Sequence, residues 1–423
     1  MKREKWIAAI LISFVLSIMS TMAISRDVLA AEEVKIGVVL PLSGPLAPIG
    51  INCRAGSDFA VKRINDAGGI KSLGGAKLKI IYADSTGVPE VGTSETERLA
   101  IREKVHILMG AYQSSVTFPA SMIGEKYKIP YIVLISVRDD IVIGRGFNYI
   151  FRCGVASSQQ AQGMVDFVMD MNKKHDKKAR KVALVYENSD FGQSVIAGAK
   201  KFLKDTDLRI VLDEPYPTKL ADFTPVVTKL KSTEPDVIFR IQYVSDAILF
   251  TKALAEKKVD VMGIIGAGGG EADPTFIPSV GLLGEYHLTN PAYTPTMPYV
   301  ISWLKQINED YKAANGRDIT TDGTHGIFNL YFIKDALERA QSTDPQKIRD
   351  AMAATDIKGY NNPWFLFPFE GLKFDKDGQN IYSVPTMSQY VDQRLYAVWP
   401  EKYQLKGKEL VWPMPTWAQR EKK

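Results

Sequence analysis

The chain has 423 residues, of which 45% are apolar and 24% charged, and it carries a formal net charge of +5. That composition excludes a disordered chain and a multi-spanning membrane protein, and the length suits two domains better than one core. No basic block interleaved with aromatics occurs, so nucleic acid is excluded as a partner.

In chain order, Lys2, Arg3 and Lys5 form a positive head before the apolar run WIAAILISFVLSIM. Val28-Leu29-Ala30 then offers a small-x-small cleavage site, so residues 1–30 read as a signal peptide and the mature chain as extracytoplasmic or periplasmic. An uncleaved anchor helix is the other reading of the run. No cysteine follows it closely, which disfavours a lipid-anchored form. Cleavage after Ala30 removes Lys2, Arg3, Lys5 and Arg26 with Glu4 and Asp27, leaving +3.

Beyond the leader, strand-like and helix-like segments alternate. KIGVVLPL is a buried-type strand, and a helix is expected from Ile51 to Ala67, stopped by Gly68-Gly69. KLKIIYAD, a helix over Thr93–Glu103, HILMGA, a helix over Ser115–Tyr127, YIVLI and YIFR follow. The rhythm restarts with a helix from Ala156 to Met171, then KVALVYE, a helix over Gly192–Lys204 and RIVLDEPY. Helix Thr224–Lys231, DVIFRIQ, helix Asp246–Lys257 and VMGIIGA complete it. Strands without polar alternation, each followed by a helix, predict parallel sheets covered on both faces. The fold class is therefore α/β, with two doubly wound parallel-sheet lobes, although no sequence repeat relates them.

From Gly284 the turn-rich GEYHLTNPAYTPTMP reads as a crossover. Helices are expected over Pro298–Ala314, Thr324–Ala340 and Pro345–Ala353, and the tail after Gly371 holds short strands that pack back across both lobes. The expected division is discontinuous: residues 31–153 with 291–383 form lobe one, and 154–290 with 384–423 form lobe two.

Cys53 and Cys153 are the two cysteines, and an oxidising compartment permits either one disulfide or two small buried side chains. His106, His175, His287 and His325 lack ligand spacing, so neither a zinc site nor a cofactor is implied.

The opening KIGVVLPLSGPLAPIG with RINDAGGI, then GAYQSSVTFPAS, KIPYIVLIS and YIFRCGVASSQQAQGM, resembles branched-chain amino-acid binding proteins, the type I periplasmic binding proteins. KVALVYENSDFGQS, DFTPVVTKLKSTEPDVIF and ALERAQSTDPQKIRDAM extend the likeness over essentially the whole mature chain. The resemblance implies two lobes joined by a three-strand hinge and a small-molecule ligand held between them. It also implies delivery by a monomer to the membrane permease of an ABC importer.

Ser114-Ser115 lies between a strand end and a helix start, where unpaired N–H groups and a positive dipole suit a carboxylate. The resemblance gives Ser114 the ligand's α-carboxylate; helix capping is the alternative for either serine. It places Ser136 at the second carboxylate contact, with Val137 where threonine is usual. Arg138 either bonds an anionic ligand or is solvated surface. Phe191 stands where the family often has tyrosine, and Tyr243 matches a ligand-contacting tyrosine that follows a strand end. For an ammonium group the candidates are Glu271 in GAGGGEADP and, second, Asp246. The glycines there lack the residues of a phosphate loop and read as a tight turn. Ile49 is a candidate wall for the ligand's apolar part, and His325 either lines the first lobe or sits on a helix surface.

Two rivals are a free ligand sensor and an enzyme with Ser114 as nucleophile. The second lacks G-x-S-x-G and any base near in sequence, so no enzyme is expected. Leucine-type amino acids lead as ligands, with aromatic or aliphatic carboxylates, amides and urea-like solutes as alternatives.

Overall fold

The structure, a computed structural model, describes residues 33–360 and 362–421. The expected leader over residues 1–30 lies outside them. Among the described residues no helix is long and apolar enough to cross a membrane.

The first sheet holds β1 (Val34–Leu40), β2 (Leu78–Asp84), β3 (Ile107–Gly110), β4 (Tyr131–Val133) and β5 (Ile150–Arg152), all parallel, in the order β2-β1-β3-β4-β5. Its crossovers are α1 (Ala47–Asp66), α2 (Pro89–Ile101) and α3 (Ser114–Tyr127). β1 and β3 are almost wholly buried because helices cover both faces, which is why their sequences show no polar alternation. The starts expected at Ile51 and Thr93 lie one turn late. Pro48 and Pro89 open these helices, since proline at the first turn loses no helical hydrogen bond.

The second sheet repeats the plan. α4 (Ser157–Lys174) leads to β6 (Lys181–Glu187), and α5 (Asp190–Leu203) to β7 (Arg209–Tyr216). Then come α6 (Thr224–Ser232), β8 (Val237–Ile241), α7 (Val244–Glu256), β9 (Gly263–Gly266), the short α8 (Phe276–Val280) and β10 (Leu288–Thr289). The parallel part is ordered β7-β6-β8-β9-β10, the same winding as the first sheet.

Between residues 297 and 304 the chain makes two 3-10 turns before α9 (Lys305–Asn315), so the helix expected from Pro298 begins later. Ile301, extended between those turns, breaks the path. α10 (Thr321–Ala340) and α11 (Pro345–Ala353) follow, and β11 (Asp356–Lys358) pairs with β12 (Gly371–Lys373). α10 crosses α1 at close range. A Cβ on Gly56 would fall 2.1 Å from the Gly323 carbonyl, and one on Gly326 would fall 2.4 Å from that of Cys53. The tail hairpin β13 (Met387–Val391) and β14 (Arg394–Trp399) joins β10 antiparallel, so the second sheet is mixed rather than purely parallel. α12 (Trp417–Arg420) ends the described chain, with the Trp417 amide on Asp260 at 2.8 Å.

The chain passes between the sheets near residues 153–156, 290–296 and 383–386, and polar side chains bind these passages together. Gln379 Nε2 donates to the Gly154 carbonyl at 2.9 Å and Asn380 Nδ2 to that of Cys153 at 3.0 Å. Asn290 Nδ2 donates to the Gln160 carbonyl at 2.8 Å, and Thr386 Oγ1 to that of Pro291 at 3.0 Å. Cys53 and Cys153 are both free and buried.

Candidate functional site

In a sheet wound this way the strand order reverses between the first and third strands, and ligands gather there, beyond the carboxyl ends. β1/β3 and β6/β8 are those positions, and the loops that follow them face one another. Together they line an open groove of about 550 Å³. The first sheet contributes Pro45 and Leu46 after β1, Thr86 to Val88 after β2, and Gln113 and Ser115 after β3. The second contributes Glu187 and Ser189 at the end of β6, Thr218 to Ala221 after β7, and Tyr243, Ser245, Asp246 and Leu249 after β8.

A smaller cavity of about 50 Å³ lies deeper, lined by Tyr112, Ser114, Ser136, Val137, Gln160, Phe191, Tyr243, Gly268 and Gly269. Tyr243 borders both spaces. Its ring lies 5.6 Å from that of Tyr112 and 5.3 Å from that of Phe191, forming an aromatic partition between the two sheets. A larger groove of about 600 Å³ lies by Asp236 and Asp260, at the amino ends of β8 and β9. That is the wrong end of a parallel sheet for ligand binding.

α3 begins at Ser114, with Gln113 as its N-cap and no side chain capping it. Ser114 is thus not a capping serine. Its buried hydroxyl accepts a long 3.4 Å hydrogen bond from the Arg138 amide and faces the inner cavity, while Ser115 faces the outer groove. The first turn of α3 carries no acid, so its positive end is not neutralised within the helix. Ser136 lines the inner cavity, yet its hydroxyl donates to the Tyr112 carbonyl at 2.8 Å and meets Thr117 Oγ1. It holds the loop in place more than it offers a free donor.

The opposing face carries negative charge. α5 has Asp190 in its first turn and α7 has Asp246. Glu187 and Asp246 are both buried while lining the groove. Burial, with Asp246 alongside, pushes the Glu187 carboxyl up to about 7 against the hydrogen bond from Ser189. Burial likewise raises Asp246, although Tyr216 donates its hydroxyl to it at 3.0 Å.

Three expected contacts lie elsewhere. Glu271 is buried in an ion pair with Arg240 at 2.5 Å, beneath the sheet, so it does not reach the groove. Gly266 makes room for it, since a Cβ there would meet Glu271 Oε2 at 2.0 Å. Ile49 is turned into the core from the first turn of α1, and Leu46, three residues earlier, lines the groove instead. Arg138, after β4, pairs with Asp190 of α5 at 2.7 Å with its guanidinium over the Phe118 ring. It is neither free surface nor a lining residue. His325 is buried against Phe367, which pushes its imidazole down to about 4.

The glycine run serves close approach. Gly268 adopts a left-handed φ of +74°, and a Cβ on Gly269 would lie 2.5 Å from the Gln242 carbonyl and 3.2 Å from the Phe191 ring. Tyr112, Gln160 and Glu187 were not among the expected site residues. Glu187 had a signal, being an acid at the carboxyl end of KVALVYE, where a switch point falls.

Residues 33–385 match the family model described as periplasmic binding protein. The chain is 30% identical over 390 residues to the Leu/Ile/Val-binding protein homolog 7 of Brucella melitensis, covering 88% of this chain and 92% of that one. Homolog 8 of Brucella abortus is also 30% identical with the same coverage. Among solved structures, the substrate binding protein LivJ of Streptococcus pneumoniae in complex with isoleucine superposes with a TM-score of 0.73 at 23% identity, covering 90% of this chain and all of that one. A solute binding protein of an ABC transporter from R. palustris in complex with benzoate also gives 0.73, at 19% identity, covering 88% and 99%.

Proposed function

Because this chain belongs to the periplasmic binding protein family, of the Leu/Ile/Val-binding type, we propose that it is the extracytoplasmic solute-binding component of an ABC importer and takes a small apolar α-amino acid between its lobes. One observation carries the ligand class: the groove is polarised. Its first-sheet side ends in Ser115 at the N-terminus of α3, whose first turn carries no acid, with Ser114 next to it facing the inner cavity, and its second-sheet side in the carboxyls of Glu187 and Asp246. A zwitterion fits that arrangement, its carboxylate on the amides and hydroxyls and its ammonium on the acids. Leu46, Val88, Leu220 and Leu249 supply an apolar lining for the side chain.

The working cycle is binding without chemistry. Residues 31–153 with 291–383 move as one body, and residues 154–290 with 384–423 as the other, about the three crossovers. Ligand favours the closed form by its differential affinity, and a monomer in that form meets the membrane permease. Residues 1–30 direct export and are removed.

A second reading is a carboxylate without an amino group, such as benzoate. The inner cavity favours it, because three aromatic rings line that cavity and, among the described residues, no acid does. A thermal-shift screen separates the two. At a hundredfold excess over Kd, leucine or isoleucine should add about 2.7 kcal/mol of apparent stability while 4-methylpentanoate and benzoate add far less. Equal shifts for leucine and 4-methylpentanoate would sink the amino-acid reading.

A further inference from the structure

We propose that Gln160 is a specificity-determining residue, its side-chain oxygen reading a hydrogen-bond donor that the ligand carries beside its carboxylate. Gln160 lies in the first turn of α4, is buried, and lines the inner cavity of about 50 Å³ that Ser114 also lines. Its Nε2 donates to the Ala267 carbonyl at 2.9 Å, which settles the way the amide points, because the reverse would set two oxygens against each other. Asn290 Nδ2 holds the Gln160 backbone carbonyl at 2.8 Å. Gly268 leaves room for the amide, since a Cβ there would lie 3.1 Å from Gln160 Nε2. With the backbone and the nitrogen both tied, Oε1 is left over, and it has no hydrogen-bond partner among the described residues.

A buried acceptor without a donor is costly, so a ligand that completes it gains over one that does not. Among the described residues that line the cavity, no other side chain has a buried polar atom without a partner. Gln160 and Ala267 belong to the second lobe, and Ser114 and the N-terminus of α3 to the first. A carboxylate held by the first lobe leaves a donor on its neighbouring carbon to meet Oε1 when the lobes close. An α-ammonium or a 2-hydroxyl supplies that donor, and a bare alkanoate does not. An ammonium has three N–H groups, so Gln160 takes one without displacing the acids of the outer groove. The proposal rests on the reading of a small carboxylate held between the lobes, and names the group that separates donor-bearing acids from bare ones.

Calorimetry of the mature chain with L-leucine, 2-hydroxy-4-methylpentanoate and 4-methylpentanoate tests it, because the three differ only in the ammonium, hydroxyl or hydrogen at carbon 2. The wild type should bind the first two about tenfold or more tighter than the third. Gln160→Met keeps the length of the side chain without its oxygen. It should bring the hydroxy acid level with the bare acid and cut the lead of leucine about tenfold. Gln160→Glu keeps an oxygen at that place and should retain the preference for leucine. An amide with a merely structural role would weaken all three ligands alike, so unchanged ratios in Gln160→Met would overturn the proposal. Equal wild-type affinity for the hydroxy acid and the bare acid would overturn it too, and that comparison decides even if Gln160→Met does not fold. A wild type that binds none of the three would instead sink the small-carboxylate reading, and this proposal with it.

Discussion

The two sheets are wound identically, yet their equivalent loops carry opposite chemistry. After the third strand of each, the first sheet places Ser114 and Ser115 on a helix whose first turn has no acid, and the second places Tyr243 before a helix whose first turn holds Asp246. After the first strand come Pro45 and Leu46 on one side, and Glu187 and Ser189 on the other. After the fourth, Ser136-Val137 opposes Gly268-Gly269. The winding fixes where a ligand is met, because both switch points open toward each other. The proposed orientation of the ligand rests on a handful of side chains at the strand ends.

The sharpest way to break that contrast is to remove the acids of the second side. Glu187→Gln with Asp246→Asn should lower affinity for leucine about a hundredfold, the scale of a buried charge pair that loses one partner. Affinity for 4-methylpentanoate should stay level or rise. Calorimetry with both ligands checks this, and equal losses would mean the acids shape the groove without meeting an ammonium.

On the first side, Ser114→Ala removes one hydroxyl while leaving the α3 amides in place. A charge-assisted hydrogen bond is worth about 1.5–3 kcal/mol, so affinity should fall about tenfold or somewhat more. The loss should be the same for amino acids and for simple carboxylates, because both present the same anion. A loss confined to amino acids would assign Ser114 to the wrong end of the ligand.

The strands and the α/β class were legible because burial on both faces erases polar alternation, as in KVALVYE and YIVLI. The place of Ser114 at the start of α3 was legible because a strand end, a serine pair and a helix start adjoin in sequence. Glu187 could be placed at a strand end from KVALVYE, but that it lines the groove depends on where β8 lies. Glu271 misled because its partner Arg240 sits thirty-one positions earlier, on β8, a pairing that only the fold creates. The start of α10 was missed because it was expected at Thr324, whereas Thr320 caps the helix by accepting the Gly323 amide at 3.0 Å.

The smallest effect concerns a charge that crosses the contrast beside the site. Arg138 belongs to the first side, and its guanidinium reaches Asp190 of the second at 2.7 Å and Asp140 of its own loop at 2.7 Å. The side chains of Arg138 and Asp190 are 23% and 39% exposed, so solvent screens the pair and its worth is at most about 1 kcal/mol. Arg138→Gln should therefore weaken every ligand by the same two- to fivefold or so, because under the proposed closure the pair joins the two sides and neither side chain lines the groove. Asp190→Asn should do the same, and the double variant should lose no more than either single one, as expected for two partners in one interaction. Raising salt should shrink the difference from wild type, since screening weakens an exposed pair first. A loss that depends on the ligand's charge, persisting at high salt, would instead make Arg138 part of the binding surface and turn the first side's anion site into a two-point clamp.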